Sequence, residues 1–331
     1  MRRNPEIDIV KGIAIGLVVL GHLLDLIGDA APAINLCHIA AFFFVSGFLL
    51  PGSLERHGAG TVLRSKAKGL LIPYLCWSEV SLAANLALAA LRGGGLTPAV
   101  LMAEFTDIFL RARSVWFLLQ LLFAHCVFLA CRRVAGEAKA FCAVNLAVYA
   151  LIYALLPDDW FQFILFKRLY GFFLAGYAFA AVPALAKARA TPQFRRVLVG
   201  AACAYPALVW AFYRSGLYTR MVESSRDPIP VALGMLIGAA GVALIGVAAG
   251  LIKGRRVGGT LAIVGQYSID IYVIHMFPVK FLPVQSLTAR LPGTLIYVAL
   301  TLYAAAIVAG CCLLASKVFR RFRLYRMSVG R

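Results

Sequence analysis

The sequence predicts an all-α, polytopic integral membrane protein with about ten transmembrane helices and both termini cytoplasmic. Three observations carry that prediction. Of 331 residues, 62% are hydrophobic and only 14% charged, with a mean hydropathy of +0.85, far outside the range of soluble domains. The apolar runs are long enough to cross a bilayer as helices and lack the alternation of barrel strands. Basic residues, Lys11 apart, fall 22 to 10 on alternate sets of loops, which places the richer side and both chain ends in the cytoplasm.

Taken in order, the spans read 9–27, 34–52, 70–91, 114–131, 140–156, 162–183, 197–213, 229–251, 258–282 and 294–316. The loops between them are short, so residues 1–331 form a single membrane domain. Arg2 and Arg3 precede the first span, but its internal Asp and Lys and the GDAAPA that follows favour an uncleaved anchor. No internal repeat and no matched pair of broken helices stands out. The basic tail from Arg320 to Arg331 reads as a headgroup anchor. The net charge of +19 is spread over loops, with no run suited to nucleic acid. Eight cysteines without CxxC spacing read as small buried hydrophobes, with neither disulfide nor metal site.

The first span, DIVKGIAIGLVVLGH, concentrates chemistry. At 100° per residue, the step from Lys11 to His22 returns to within about 20° of one direction, and Asp8 lies one turn before Lys11. One face carries all three, with Asp8 and His22 about 21 Å apart along the axis. Ionisable groups within a bilayer are costly and mark function. The plain alternative is an interfacial Asp–Lys pair with a snorkelling lysine and a helix end at Gly21-His22. By the side assignment, His22 lies toward the outer face and Asp8 and Lys11 toward the cytoplasm.

Further along, His38 opens the second span and either lines the outward end of the His22 cavity or is interfacial. Arg64, Lys66 and Lys68 precede the third span on the cytoplasmic side. They suit lipid headgroups, or an anionic cosubstrate bearing several phosphates. Arg113 and Trp116 lie at the outer end of the fourth span, as belt residues or as a platform for a sugar ring. Lys167 and Arg168, at the outer end of the sixth, could hold an anionic group of a lipid-linked glycan. In the ninth, Ser268, Tyr272 and His275 recur at i, i+4 and i+7 on one face. His275 falls at a depth comparable to His22, which suggests a shared polar cavity. His57 and His125 read as ordinary loop or interfacial residues.

Six landmarks stand in order: DIVKGIAIGLVVLGH, HIAAFFFVSGFLLP, KGLLIPYLCWS, WFLLQLLF, FKRLYGFFLAGYAF and VGQYSIDIYVIH. Together they resemble the membrane acyltransferase-3 family, and within it the bacterial surface-polysaccharide O-acetyltransferases. The resemblance implies a multi-pass protein of the bacterial inner (cytoplasmic) membrane, surrounded by lipid. It would move an acyl group, usually acetyl, from cytosolic acyl-CoA to a hydroxyl of a glycan or lipid-linked sugar. The family's basic residue, ten-residue gap and histidine match Lys11 and His22. Arg64, Lys66 and Lys68 only partly match its arginine-x-x-arginine, and Asp270 stands where relatives carry an aromatic or apolar residue.

The expected mechanism is O-acylation within the bundle. His22 serves as base, imidazole being the side-chain type best suited to proton transfer near neutral pH. Lys11 and Asp8 organise the inner end of the cavity or engage the CoA arm, and Arg64, Lys66 and Lys68 receive its phosphates. His275 joins His22 as a catalytic residue, while His38, Arg113, Trp116, Lys167, Arg168, Ser268 and Tyr272 contact the acceptor. The competing expectations are an exporter of an acylated sugar or small anion, and a structural subunit of a polysaccharide machine. Transfer of label from acetyl-CoA separates them.

Overall fold

A side-chain cap and a proline start the first helix. The Asn4 carboxamide oxygen accepts the Glu6 amide at 3.1 Å and Pro5 takes the first helical position, where no N–H is needed. The computed structural model that shows this describes residues 4–29, 31–91, 93, 95–135, 138–280, 282, 287–288, 290–322, 325–326 and 329. Among them every regular element is helical. Arg2, Arg3, Arg92, Arg323 and Arg331 of the charge tally lie outside the described residues.

In chain order the helices are α1 (Pro5–Asp25), α2 (Pro32–Asn35), α3 (His38–Leu91), α4 (Pro98–Phe105), α5 (Trp116–Ala135), α6 (Ala138–Leu155), α7 (Phe163–Ala181) and α8 (Pro183–Arg189). Then come α9 (Pro192–Arg214), α10 (Leu217–Glu223), α11 (Pro228–Ile252), α12 (Arg256–Gln266), α13 (Ser268–Ile274), α14 (Met276–Lys280) and α15 (Gly293–Lys317). Seven of the helical stretches are long and apolar enough to cross a membrane, or eight if the bent pair 256–266 and 268–280 is one span.

Two expectations about boundaries change. Residues 53–69, read as a loop, are helical, so α3 runs on from the second expected span into the third. Its 54 residues would reach about 80 Å if straight, far more than a bilayer core. Ala, Leu, Lys and Arg are good helix formers and carry the helix through this polar stretch. The single interruption inside it is Gly58, at φ 71° and ψ 162°, a conformation only glycine adopts without strain. The ninth span is broken instead of continuous: α12 and α13 meet at Tyr267 with a bend of 64°. There the Tyr267 amide turns back to the Val264 carbonyl at 3.0 Å, closing a tighter turn that ends α12.

The described chain divides into two compact units. The first comprises Met1–Leu49, Phe172–Glu223 and Asp227–Arg321. Inside it α1 packs on α12, α13 and α15, and α9 packs on α11. In lipid no hydrophobic force drives helices together, so close packing of small residues must do it. Gly12 and Gly265 supply that at the crossing of α1 with α12. A Cβ on Gly12 would run into the Leu261 carbonyl, and one on Gly265 into the carbonyl of Asp8. Gly47 and Gly176 repeat the device where the start of α3 crosses α7, each facing the other helix's backbone carbonyl, at Phe173 and Phe44.

The second unit comprises Leu50–Gly171, Ser224–Arg226 and Phe322–Arg331. Its core is α5 against α6, filled by Leu118, Phe128, Phe166 and Tyr170, with Phe166 and Tyr170 stacked at 5.0 Å. His125, expected at an interface, is fully buried here, its Nδ1 2.7 Å from the Leu121 carbonyl. The eight cysteines are all free, and Cys126, Cys142 and Cys203 are exposed on helix surfaces instead of buried. On a helix facing lipid, an apolar thiol has no need to be inside.

Candidate active site

The crossing of α1 with the broken ninth span sets one end of the candidate site. Asp8 and Lys11, one turn apart, form an ion pair at 2.6 Å, with Asp8 buried and Lys11 half-buried. The Asp8 carbonyl lies against Gly265, so this pair stands on the seam itself.

At the far end of α1, His22 meets His275. The two rings stack with centroids 5.3 Å apart and planes 28° apart. Their surroundings differ. The His22 side chain is 39% exposed, and its Nδ1 is 3.7 Å from the Asp25 carboxylate. His275 is 1% exposed, and its Nδ1 lies 3.0 Å from the Ile271 carbonyl and 2.8 Å from that of Tyr272. Carbonyl oxygens only accept, so Nδ1 carries the hydrogen and Nε2 of the neutral ring keeps a lone pair. That Nε2 is buried and meets no hydrogen-bond partner among the described residues. The Tyr272 ring lies 6.0 Å from that of His275, and Ser268 sits in the first turn of α13. His38 is also buried in this unit, its Nδ1 2.6 Å from the Ile34 carbonyl.

One participant was illegible in the sequence. Asp270, fully buried in α13, takes Arg320 at 2.5 Å through Nη2 and 3.4 Å through Nε. The guanidinium also lies 4.0 Å from the centroid of the Tyr267 ring, at the break itself. Arg320, read as part of a headgroup anchor, is thus the counter-ion of a carboxylate inside the span. An Asp in an apolar helix demands such a partner, and that demand was the signal available.

The remaining sequence candidates belong to the second unit. Arg64 and Lys68 are exposed, four residues apart on one face of α3, and Lys66 is half-buried. Arg113 is exposed and 3.9 Å from Asp107, which also holds Arg111 at 2.8 Å. Trp116 is half-buried, edge-on to Phe117.

Lys167 is 3% exposed, and its ammonium meets the Leu156 carbonyl at 2.7 Å, Asp158 at 2.8 Å and the Ser225 hydroxyl at 3.2 Å. Three N–H bonds face three acceptors, the full complement of an ammonium group. Ser225 also donates to Asp158 through its hydroxyl and, at 3.0 Å, its amide. Burial pushes the Asp158 carboxyl up, but the hydrogen bonds from Lys167 and Ser225 outweigh it and hold the group below its usual range. Tyr149 and Tyr153 donate to the carbonyls of Lys167 and Ser225, which closes the knot. Arg168 is half-buried beside it in sequence.

Comparison with known proteins agrees with the landmarks. Residues 4–315 match the model of the acyltransferase-3 family, described as an acyltransferase domain. Among curated proteins, nodulation protein NolL of Sinorhizobium fredii (strain NBRC 101917 / NGR234) is 31% identical over 194 residues. That alignment covers 54% of this chain and 49% of NolL, so the chain spans about half the length of the relative it matches. No solved structure matches.

Proposed function

The chain belongs to the acyltransferase-3 family, and on that premise we propose that it is a membrane O-acyltransferase that transfers an acyl group, acetyl for preference, from acyl-CoA to a hydroxyl of a glycan or lipid-linked sugar. The observation that carries this reading is the pair His22 and His275, brought to 5.3 Å from helices about 250 positions apart in the chain. Acyl transfer from a thioester needs a base for the incoming hydroxyl and a place poor in water. His22 is the base: it is accessible to a ligand, and the Asp25 carboxylate at 3.7 Å stabilises the imidazolium formed when the proton arrives.

Asp8 and Lys11 organise the cytoplasmic end of the same helix. Acyl-CoA, the donor substrate, supplies an activated acyl carbonyl. Arg64 as a planar fork and Lys68 as a point charge, both exposed on one face of α3, fit its phosphates, while Lys66 projects from a different side of the helix. His38, Ser268 and Tyr272 contact the acceptor, and Arg113 and Trp116 offer a charged and an aromatic surface to a sugar. Lys167, buried and fully hydrogen-bonded, holds the start of α7 in place instead of touching the acceptor, and Arg168 beside it is offered to an anionic group. The chain sits in a bacterial inner membrane with both termini cytoplasmic. It crosses the membrane ten times, α3 providing two crossings, α6 one and α12 to α14 one.

Membranes carrying the protein, given acetyl-CoA labelled in the acetyl group, should move label into the glycan fraction. His22→Ala should lower that rate by roughly 10²–10⁴-fold. A His22→Ala protein that inserts normally and keeps full transfer refutes the assignment. The 64° break in the ninth span favours a second reading, export of an acylated sugar or small anion, because transporters build their sites from broken helices. Under that reading label stays on CoA, while solute efflux depends on the protein.

A further inference from the structure

His275 presents an unusual atom. Its Nδ1–H is committed to two backbone carbonyls, so the ring can neither flip its tautomer nor turn without losing those bonds. Its Nε2 is therefore a fixed acceptor, sealed from water and without a partner among the described residues. A buried acceptor left unpaired is costly, so the site gains when a donor arrives. The ring beside it belongs to His22, whose 39% exposure leaves it open to an incoming molecule.

We propose that His275 Nε2 accepts a hydrogen bond from a second hydroxyl of the acceptor, next to the one that reacts. The inference rests on the O-acyltransferase reading with His22 as base, and it deepens it. A hydroxyl has one proton. The reacting hydroxyl gives that proton to His22 as its oxygen bonds to the acyl carbon, and the carbon–sulfur bond breaks to release the thiolate, which His22 reprotonates. The donor that satisfies His275 must then be a different O–H, and the stacked rings call for one close by on the same molecule. The site thus selects acceptors with adjacent hydroxyls, as on a sugar ring, over simple alcohols. His275 takes no proton in this scheme; it positions the acceptor. Asp270 and Arg320 hold the start of α13 and so fix the direction of the lone pair.

The test compares His275→Gln with His275→Ala in membranes supplied with labelled acetyl-CoA. Glutamine can place an acceptor oxygen near the position of Nε2 but cannot act as a base. Transfer to the native glycan should stay within about threefold of wild type for His275→Gln, and fall about 10–100-fold for His275→Ala, mainly through a raised acceptor KM. With small probes, wild type should acetylate vicinal cyclohexanediol at least tenfold better than cyclohexanol, and His275→Ala should abolish that preference.

Equal losses in both variants, matching His22→Ala, would make His275 a base and overturn the proposal. So would full transfer by His275→Ala, equal use of the two probes, or refusal of both while the native glycan is acetylated. A wild-type protein that transfers no label at all removes the underlying enzyme reading instead.

Discussion

Alanine at Gly265 tests how the seam between α1 and α12 governs the histidines. An added Cβ falls 2.8 Å from the Asp8 carbonyl carbon and 2.9 Å from the Gly12 amide nitrogen, and nearer still to the Asp8 oxygen. Ordinary contact begins at 3.4 Å, so the helices must part by roughly 1 Å, and backbone cannot swing aside as a side chain would. Overpacking of this kind costs about 1–3 kcal/mol. The functional cost should be larger. His22 rides on α1 and His275 follows α13, which α12 carries beyond the bend at Tyr267, and a 1 Å misplacement of reacting groups costs about 100-fold. Acetyl transfer by Gly265→Ala should therefore fall about 100-fold while the protein still inserts and elutes as wild type in detergent. Gly12→Ala, which meets the Leu261 carbonyl across the same seam, should match it. Gly16, on the same helix but with nothing within 4 Å of its added Cβ, is the control, and Gly16→Ala should leave transfer unchanged. Wild-type activity in Gly265→Ala, or equal damage in Gly16→Ala, would refute the reasoning.

Four further expectations follow from the charged clusters. Lys167→Ala removes the partner of Asp158 from a buried position and should cost about 3–5 kcal/mol, read as a fall in the melting temperature of the solubilised protein. The exposed pair of Lys253 with Glu6, by contrast, should be worth less than about 1 kcal/mol by the same measurement. Asp158→Asn should lower the melting temperature at neutral pH. Because the folded carboxyl is held below its unfolded value, its contribution is complete above about pH 4 and disappears as pH falls through the folded value, so variant and wild type should converge in acid. Asp270→Asn takes away the carboxylate that Arg320 binds, and Arg320→Gln takes away the guanidinium that Asp270 binds. Each should reduce transfer, and the double variant should recover part of the loss in a double-mutant cycle.

Hydropathy and length make the helical class legible, and the 3.6-residue period alone puts Asp8, Lys11 and His22 on one face. The expectation that His22 and His275 share a depth comes from counting residues along two spans that both run from inside to outside, and the two rings stack at 5.3 Å. The bend at Tyr267 was hidden because Gly265-Gln266-Tyr267 keeps an apolar neighbourhood on both sides, and hydropathy is blind to direction. The helix through residues 53–69 was hidden for the opposite reason: polarity was taken for a loop, although its residues favour helix. The pairings of Lys167 with Ser225 and of Asp270 with Arg320 bridge 58 and 50 positions, beyond the reach of any local pattern. Arg64, Lys66 and Lys68 are legible as a basic cluster, but that Arg64 and Lys68 share an exposed helical face came only with the fold.

The bond from Arg320 to Asp270 also imposes an order on biosynthesis. The carboxylate enters the membrane 50 residues before its guanidinium has been made, an interval of roughly 3–10 s at ordinary translation rates. During that interval the segment bearing His275 lacks the guanidinium that holds it in its final bend. Translation must pass Arg320 before the reaction centre can exist, and a nascent protein stalled within α15 would be inserted but inert.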